Sequence, residues 1–262
     1  MSSPRTDIAV AFERAFALMD RIDERVADRI DPTPHGELVV SRRLFHVHDE
    51  NFLRVRDPAD AGAEELAAEA EAAHGRYPEV RHRRVNLRGA EASERLEPGF
   101  RALGWAPQRF VLMARRRGPD REAEVPVREL DESALRSAWA EGSRSFVADG
   151  AVIEQIVAHH LAIGHAVPTR YFAVEAAGGV AASCELYSWD GVGQVENVVT
   201  LPQFRNRGFA RALVLHATEE SRAGGNDLTF LVADADDWPY RLYEKLGFEL
   251  EGRYTRFLRN PS

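Results

Sequence analysis

Apolar positions recur along this chain with two periods, and the switches between them mark out its elements. Ile8, Phe12, Ala15, Phe16, Met19, Ile22 and Val26 fall three or four residues apart, which predicts a helix over 7–28. Asp31-Pro32-Thr33-Pro34-His35-Gly36 breaks that pattern. Short strand-like pieces follow in 37–48, and 52–55 reads as a strand. Residues 62–74, rich in Ala and Glu, predict a helix. Residues 80–87 alternate as a strand, a short helix leads to Gly104-Trp105, and 109–114 predict another strand. The charged run 115–124, with Gly118-Pro119 inside it, predicts a linker.

After that run, 125–130 read as a strand. Leu135, Ala138 and Trp139 then mark the inner face of a helix over Glu132–Ser143, and Ile153, Ile156, Val157 and Leu161 that of another over 152–164. Residues 171–175 and 180–188 predict a hairpin around Gly178-Gly179, and Trp189-Asp190-Gly191 turns the chain into a strand over 194–200. A strand over 228–233, a short helix over 236–245 and a strand over 248–258 close the pattern. The end of the first half lies over the end of the second: Phe100-Arg101-Ala102-Leu103-Gly104-Trp105 over Tyr243-Glu244-Lys245-Leu246-Gly247-Phe248. Both run from a helix through a Gly-aromatic turn into a strand, an internal repeat.

The stretch Thr200-Leu201-Pro202-Gln203-Phe204-Arg205-Asn206-Arg207-Gly208-Phe209-Ala210-Arg211 organises the second half. An apolar strand precedes it, and Ala210, Leu213, Val214 and Ala217 recur behind it at helical spacing. A helix opened by a Gly-containing loop offers unpaired N–H groups and the positive end of its dipole to an anion. Gly208 and Ala210 leave room, while Arg205, Arg207 and Arg211 add charge. Together these features describe a pyrophosphate cradle. The loop resembles the cofactor motif of the GNAT acyltransferase superfamily, [Gln/Arg]-x-x-Gly-x-[Gly/Ala]. Asp236-Asp237-Trp238-Pro239-Tyr240-Arg241-Leu242-Tyr243-Glu244-Lys245-Leu246-Gly247-Phe248 is similar to that family's Asn-x-x-Ala-x-x-Leu-Tyr-x-Lys-x-Gly-Phe, with Asp236 and Pro239 departing from it.

The resemblance implies an α/β fold, a central mixed β-sheet flanked by helices in each of two GNAT-like domains in tandem. It places a degenerate domain at 1–118, a linker at 119–124 and a catalytic domain at 125–262. In the first domain Phe100 stands where the tyrosine would be, and the loop 57–62 carries Asp57 and Asp60, which would repel a pyrophosphate. The cosubstrate implied is acetyl-CoA, without a metal. It would be held by the backbone of Asn206, Arg207, Gly208, Phe209, Ala210 and Arg211 with Arg205 beside them. Its pantetheine arm would lie along Val198, Val199 and Thr200 as an added strand. An N–H at or near Val198 would polarise the thioester carbonyl.

For the chemistry, the resemblance makes Tyr243 the acid that protonates the leaving thiolate. Glu196 is the candidate base, acting on the amine directly or through a water, or else binding the acceptor's charge. His159-His160 lies on a helix beside the expected acceptor side, one ring facing the pocket and the other solvent. The expected activity is N-acetyl transfer to a primary amine of a small molecule by direct attack. The alternatives are a protein N-terminus or lysine as acceptor, or a non-catalytic acyl-CoA-binding regulator.

Composition narrows the partners. A hydrophobic share of 44% suffices for two cores, and a net charge of -8 argues against general nucleic-acid binding. The single cysteine, Cys184, excludes an internal disulfide framework and reads as a small core residue. His46-Val47-His48 lacks the companions of a metal site. No run approaches membrane-spanning length and no signal-peptide core opens the chain, so the expected location is cytoplasmic. A homodimer is among the assemblies this reading allows.

Overall fold

The computed structural model describes residues 4–237 and 239–260. In chain order its elements are α1 (Pro4–Val26), β1 (Arg29–Thr33), β2 (Gly36–Val40), β3 (Asn51–Val55), α2 (Ala63–His74), β4 (Arg83–Arg88), α3 (Ala90–Ala102), β5 (Ala106–Arg115), β6 (Arg128–Leu130), α4 (Glu132–Ser143), α5 (Gly150–Ala166), β7 (Thr169–Ala176), β8 (Gly179–Trp189), β9 (Val192–Thr200), α6 (Phe209–Ala223), β10 (Leu228–Asp234), α7 (Pro239–Lys245) and β11 (Phe248–Arg259). Trp238, part of the expected helix over 236–245, lies outside the described residues. The expected break at 31–36 is instead a hairpin, β1 pairing antiparallel with β2. Pro32 fits there because β1 ends its sheet, where a missing N–H costs no ladder bond.

Residues expected in continuous spans, 1–118 and 125–262, are distributed differently between two compact units. The larger takes the chain up to Ile22, Leu112–Ala233 and Asp237–Glu251; the smaller takes Asp23–Val111, Asp234–Asp236 and the chain from Gly252. Strand pairing is the reason. The second half of β11 forms an antiparallel ladder with β4, from Tyr254 opposite Arg88 to Arg259 opposite Arg83. Phe257 is thereby sealed into the smaller unit, its ring stacked on Phe100 at 4.2 Å. The 119–124 stretch is irregular, as its composition predicts, yet it is anchored: the Asp120 N–H donates to the Lys245 carbonyl at 2.8 Å.

Within the smaller unit the strand order is β1-β2-β3-β4-β11. β3 and β4 run parallel and are joined by α2, whose Leu66 and Ala70 pack with Leu53, Val85 and Phe100. Within the larger unit the order is β10-β9-β8-β7-β6, antiparallel except for β9 and β10, which are parallel and joined by α6. Both units thus use the succession strand, helix, parallel strand, helix, strand. In both, the second helix is followed by a left-handed glycine, Gly104 (φ 80°) or Gly247 (φ 88°), and a buried aromatic residue.

Turn chemistry aligns the strands of the larger unit. Ala177 and Gly178, then Asp190 and Gly191, have positive φ and close the β7–β8 and β8–β9 hairpins, as primed turns demand. Phe172, Phe230 and Phe248 are fully buried, each worth roughly 1.5–3 kcal/mol. α6 packs on β8 and β9 through Leu213, Val214 and Ala217, and α4 packs on α5 and β8.

Candidate active site

The loop that leaves β9 carries the residues expected to form the anion cradle. Asn206 (φ 63°) and Gly208 (φ 80°) both adopt left-handed backbone, and α6 begins at Phe209. Turns of this kind point successive N–H groups into one concavity. The first backbone bond of the helix runs from the Ala212 N–H to the Gly208 carbonyl at 3.1 Å. Among the described residues, the amides of Asn206, Arg207, Gly208, Phe209, Ala210 and Arg211 have no backbone acceptor. Arg205 and Arg207 are exposed; Arg207 lies 5.4 Å over the Phe204 ring. Arg211 differs from the expectation. Its guanidinium is buried and donates to Asp120 Oδ1 at 2.6 Å and to the Arg121 carbonyl at 3.0 Å, so only its backbone amide is left to the cradle.

A slot adjoins the cradle. The β9–β10 ladder covers only Val192–Gln194 against Leu228–Phe230, and no pairing joins β9 to β10 beyond Gln194 among the described residues. The β9 edge from Val195 to Thr200 can therefore take an extended amide-bearing arm as an added strand. On the β8 side the register shifts between Ser183 and Glu185, so Asn197 and Val198 together face Cys184. This bulge interrupts the simple alternation of side-chain faces along β9 between Glu196 and Val199. Asn197 has φ 52°, a conformation that asparagine tolerates better than most residues. A bulge leaves one residue out of the ladder, here beside Val198. Val199 is exposed and lies against Gly142 of α4.

Tyr243, from α7, is buried, its ring 6.3 Å from that of Phe248. Burial pushes its phenol well above the usual range, and the nearby charge of Glu196 pushes in the same direction. The structure thus brings both expected catalytic side chains into one electrostatic neighbourhood. Glu196 is half-buried, and its Oε2 accepts from Gln194 Nε2 at 2.6 Å.

A further polar cluster, largely unseen in the sequence, lies beside the bulge. Glu185 on β8 sits opposite Glu196 in register and is 1% exposed. Its Oε2 accepts from Tyr187 Oη at 2.5 Å and Asn197 Nδ2 at 3.2 Å, and its Oε1 lies 2.6 Å from His160 Nδ1. Asn197 Nδ2 also donates to Tyr187 Oη at 2.9 Å. Burial, then Glu185, holds the Tyr187 phenol far above its ordinary range, so it stays a donor. The His160 ring stacks on Trp139 at 4.6 Å with 4° between planes. Trp139 in turn meets the edge of Tyr171, whose buried hydroxyl finds no hydrogen-bond partner among the described residues and is pushed up to about 12 by burial. A groove of about 880 Å³ runs between α4 and α5, lined among others by Arg136, Ala140, Arg144, Ile153, Val157 and Leu161.

A strand, an amide-lined loop and a helix, with a bulge and an open edge on β9, thus lie together in one continuous stretch of the chain. Residues 177–257 match the family described as FR47-like protein, a span that contains the bulge, the loop after β9 and Tyr243. Glucosamine 6-phosphate N-acetyltransferase of Trypanosoma brucei brucei is 37% identical over 65 residues, 25% of this chain and 43% of that enzyme, so the chain matches less than half the length of this relative. A conserved protein of unknown function from Staphylococcus epidermidis ATCC 12228 has the same fold (TM-score 0.71, 12% identity, 91% of this chain and 96% of its own). So does a GCN5-related N-acetyltransferase from Kribbella flavida (TM-score 0.60, 17% identity, 97% of this chain and 96% of its own).

Proposed function

We propose that the larger unit transfers an acetyl group from acetyl-CoA to a primary amine of a small molecule. The observation that carries this reading is the row of unbonded amides from Asn206 to Arg211 at the end of a β9 edge that no strand covers. A diphosphate needs several N–H donors at a helix start, and a pantetheine arm needs a sheet edge. Arg205 and Arg207 add exposed positive charge beside the diphosphate.

The mechanism follows from what surrounds the thioester. The amide at the bulge, at or near Val198, donates to the carbonyl oxygen as negative charge develops on it. Glu196 takes the proton released as the C–N bond forms, directly or through a water. Tyr243 hydrogen-bonds the departing sulfur. A free phenol near 10 gives its proton uphill to a thiolate whose conjugate acid is near 8.5, and burial steepens that climb, so the proton moves only as the C–S bond breaks. Cys184 is fully buried on β8 with its thiol pushed up by burial, which suits direct attack on the thioester with no acyl-enzyme.

The trypanosomal relative is named for a small phosphorylated amine, and the groove between α4 and α5 offers Arg136 and Arg144 to an acceptor of that kind. The smaller unit we read as a degenerate copy. Phe100, at the tyrosine position, is fully buried, and its β3–α2 loop carries Asp57 and Asp60. Among the described residues no helix is long and apolar enough to cross a membrane, and we place the protein in the cytoplasm.

Thiol release from acetyl-CoA tests the reading, measured with glucosamine 6-phosphate, 1,4-diaminobutane, lysine and a free-N-terminal peptide, with the products weighed by mass spectrometry. Acetylation of a small amine is expected. Saturable acetyl-CoA binding with no turnover on any amine would instead favour a regulatory binding protein.

A further inference from the structure

The proton balance of this reaction points to a second proton acceptor. The inference rests on the acetyl-transfer reading and adds a residue to it. A primary amine arrives at neutral pH as an ammonium and loses two protons in becoming an amide. One must leave before the lone pair can attack, and the other leaves as the C–N bond forms. Glu196 accounts for one of these. We propose that His160 is the other acceptor: its Nε2 takes the proton of the arriving ammonium, and Glu185 holds the ring for that task.

The geometry fixes which nitrogen is available. Glu185 Oε2 already accepts from Tyr187 and Asn197, and a carboxylate can only accept. The proton in the 2.6 Å contact between Oε1 and His160 therefore sits on Nδ1, which leaves Nε2 with its lone pair in the neutral ring. Trp139, parallel to the imidazole at 4.6 Å, prevents it from turning. His160 Nδ1 lies 3.4 Å from Asn197 Nδ2, so the ring stands next to the bulge that carries the proposed carbonyl-polarising amide. Its side chain keeps 10% of its surface open.

The chemistry favours an imidazole over a carboxylate for the first proton. An ammonium near 10.4 gives a proton to an imidazole near 6.5 against an equilibrium factor of ~10⁴, and to a carboxylate near 4.3 against ~10⁶. The steps then balance. His160 becomes an imidazolium, paired with Glu185. The freed lone pair forms the C–N bond, and the second amine proton passes to Glu196. The C–S bond breaks and the sulfur takes the Tyr243 proton. Glu196 reprotonates Tyr243, and His160 releases its proton to solvent. The net products are amide, free coenzyme A and one proton.

The groups that face His160 are Glu185 and Tyr187 from β8, Asn197 from β9, Trp139 from α4 and His159 on its own helix. Tyr171 from β7 and Glu196 from β9 act on the cluster through charge. A pH profile of turnover isolates His160 if His160→Gln and Glu185→Gln are compared with the native protein, using acetyl-CoA and the fastest amine of the panel. In the native protein kcat/KM should rise with pH and reach a plateau below the titration of the amine itself. In His160→Gln it should fall on the order of 10²–10⁴-fold and keep rising toward the titration of the amine itself. Glu185→Gln can donate to Nδ1, which moves the ring proton to Nε2 and should cost a similar factor. Nitrogen-15 NMR of the unliganded protein should show His160 with Nδ1 protonated and Nε2 bare, and the reverse in Glu185→Gln. Folded His160→Gln with native rate and an unchanged limb would overturn the inference while leaving the acetyl-transfer reading intact, and so would a native Nε2–H ring. Absence of turnover in the native protein would sink both.

Discussion

Asp120 holds Arg211 inside the larger unit: Oδ1 lies 2.6 Å from Nη1, and the arginine side chain is 8% exposed. One of three arginines beside the anion cradle is thus neutralised by the protein itself. Replacing Asp120 with Ala should lower the melting temperature, because a buried guanidinium keeps only the Arg121 carbonyl as acceptor. Acetyl-CoA affinity, read by calorimetry, should stay within about twofold. Arg205→Ala and Arg207→Ala should behave in the opposite way, with unchanged melting and affinity weakened several-fold at low salt, an effect that fades as salt rises.

Gly208 tests the cradle itself. A Cβ built there meets no atom within 4 Å, so Gly208→Ala has steric room. Its φ of 80° is the obstacle, a conformation that costs an L-residue about 1–2 kcal/mol. If the loop keeps its shape, the variant should lose that much stability. If the loop relaxes, the amides swing away and the acetyl-CoA Kd should rise about 5- to 30-fold. A variant with native stability and native Kd would show that this backbone geometry does not form the binding site.

Tyr243→Phe separates chemistry from binding. Turnover should fall about 10²-fold while acetyl-CoA affinity hardly changes, since in the proposed mechanism the phenol acts only as the sulfur departs. Glu196 raises the Tyr243 phenol through its charge, so Glu196→Gln should lower the pH at which that tyrosine ionises, followed by ultraviolet difference absorption. A loss of acetyl-CoA binding in Tyr243→Phe would instead make this residue part of the cofactor wall.

The smaller unit should be acid-labile. His74 is lowered to about 4 and His82 to about 3, both chiefly by burial and His82 also by the His48 ring, tilted against it at 4.1 Å. Unfolded histidine titrates near 6.5, so the stability due to these neutral rings is complete above that value. It declines as the pH falls through 6.5, for His74 down to about 4 and for His82 down to about 3. Each ring should contribute a slope of up to roughly 1.4 kcal/mol per pH unit in that window. Urea midpoints between pH 7 and pH 5 should therefore drop steeply, and His82→Gln should flatten the curve. An equally steep curve in that variant would place the acid sensitivity elsewhere.

What the sequence reveals of this site depends on how local each signal is. The loop 200–211 and the Tyr243 motif are contiguous, and both are legible because one short stretch builds each of them. Asn197 was invisible as a bulge, since only the register opposite Cys184 shows the extra residue. The His159-His160 pair could be placed on a helix but not resolved, because the partner that selects His160 lies 25 residues away on β8. A clue was present there: Glu185 and Tyr187 alternate with Cys184 and Leu186 in a run otherwise apolar, and a lone carboxylate buried in a strand needs partners. Likewise, Arg211 looked like a ligand for phosphate because Asp120 is 91 residues distant.

The placement of β11 has a consequence for synthesis on the ribosome. The strand that covers the β4 edge of the smaller unit and the stacking partner of Phe100 are both supplied by residues after Gly252. The first half of the polypeptide therefore emerges with an open strand edge and an unfilled socket, and it must wait through the production of the whole second half before either is covered. Charged neighbours on β4, Arg83, Arg84 and Arg88, suit that interval, because a nascent edge studded with positive charge resists pairing with other chains.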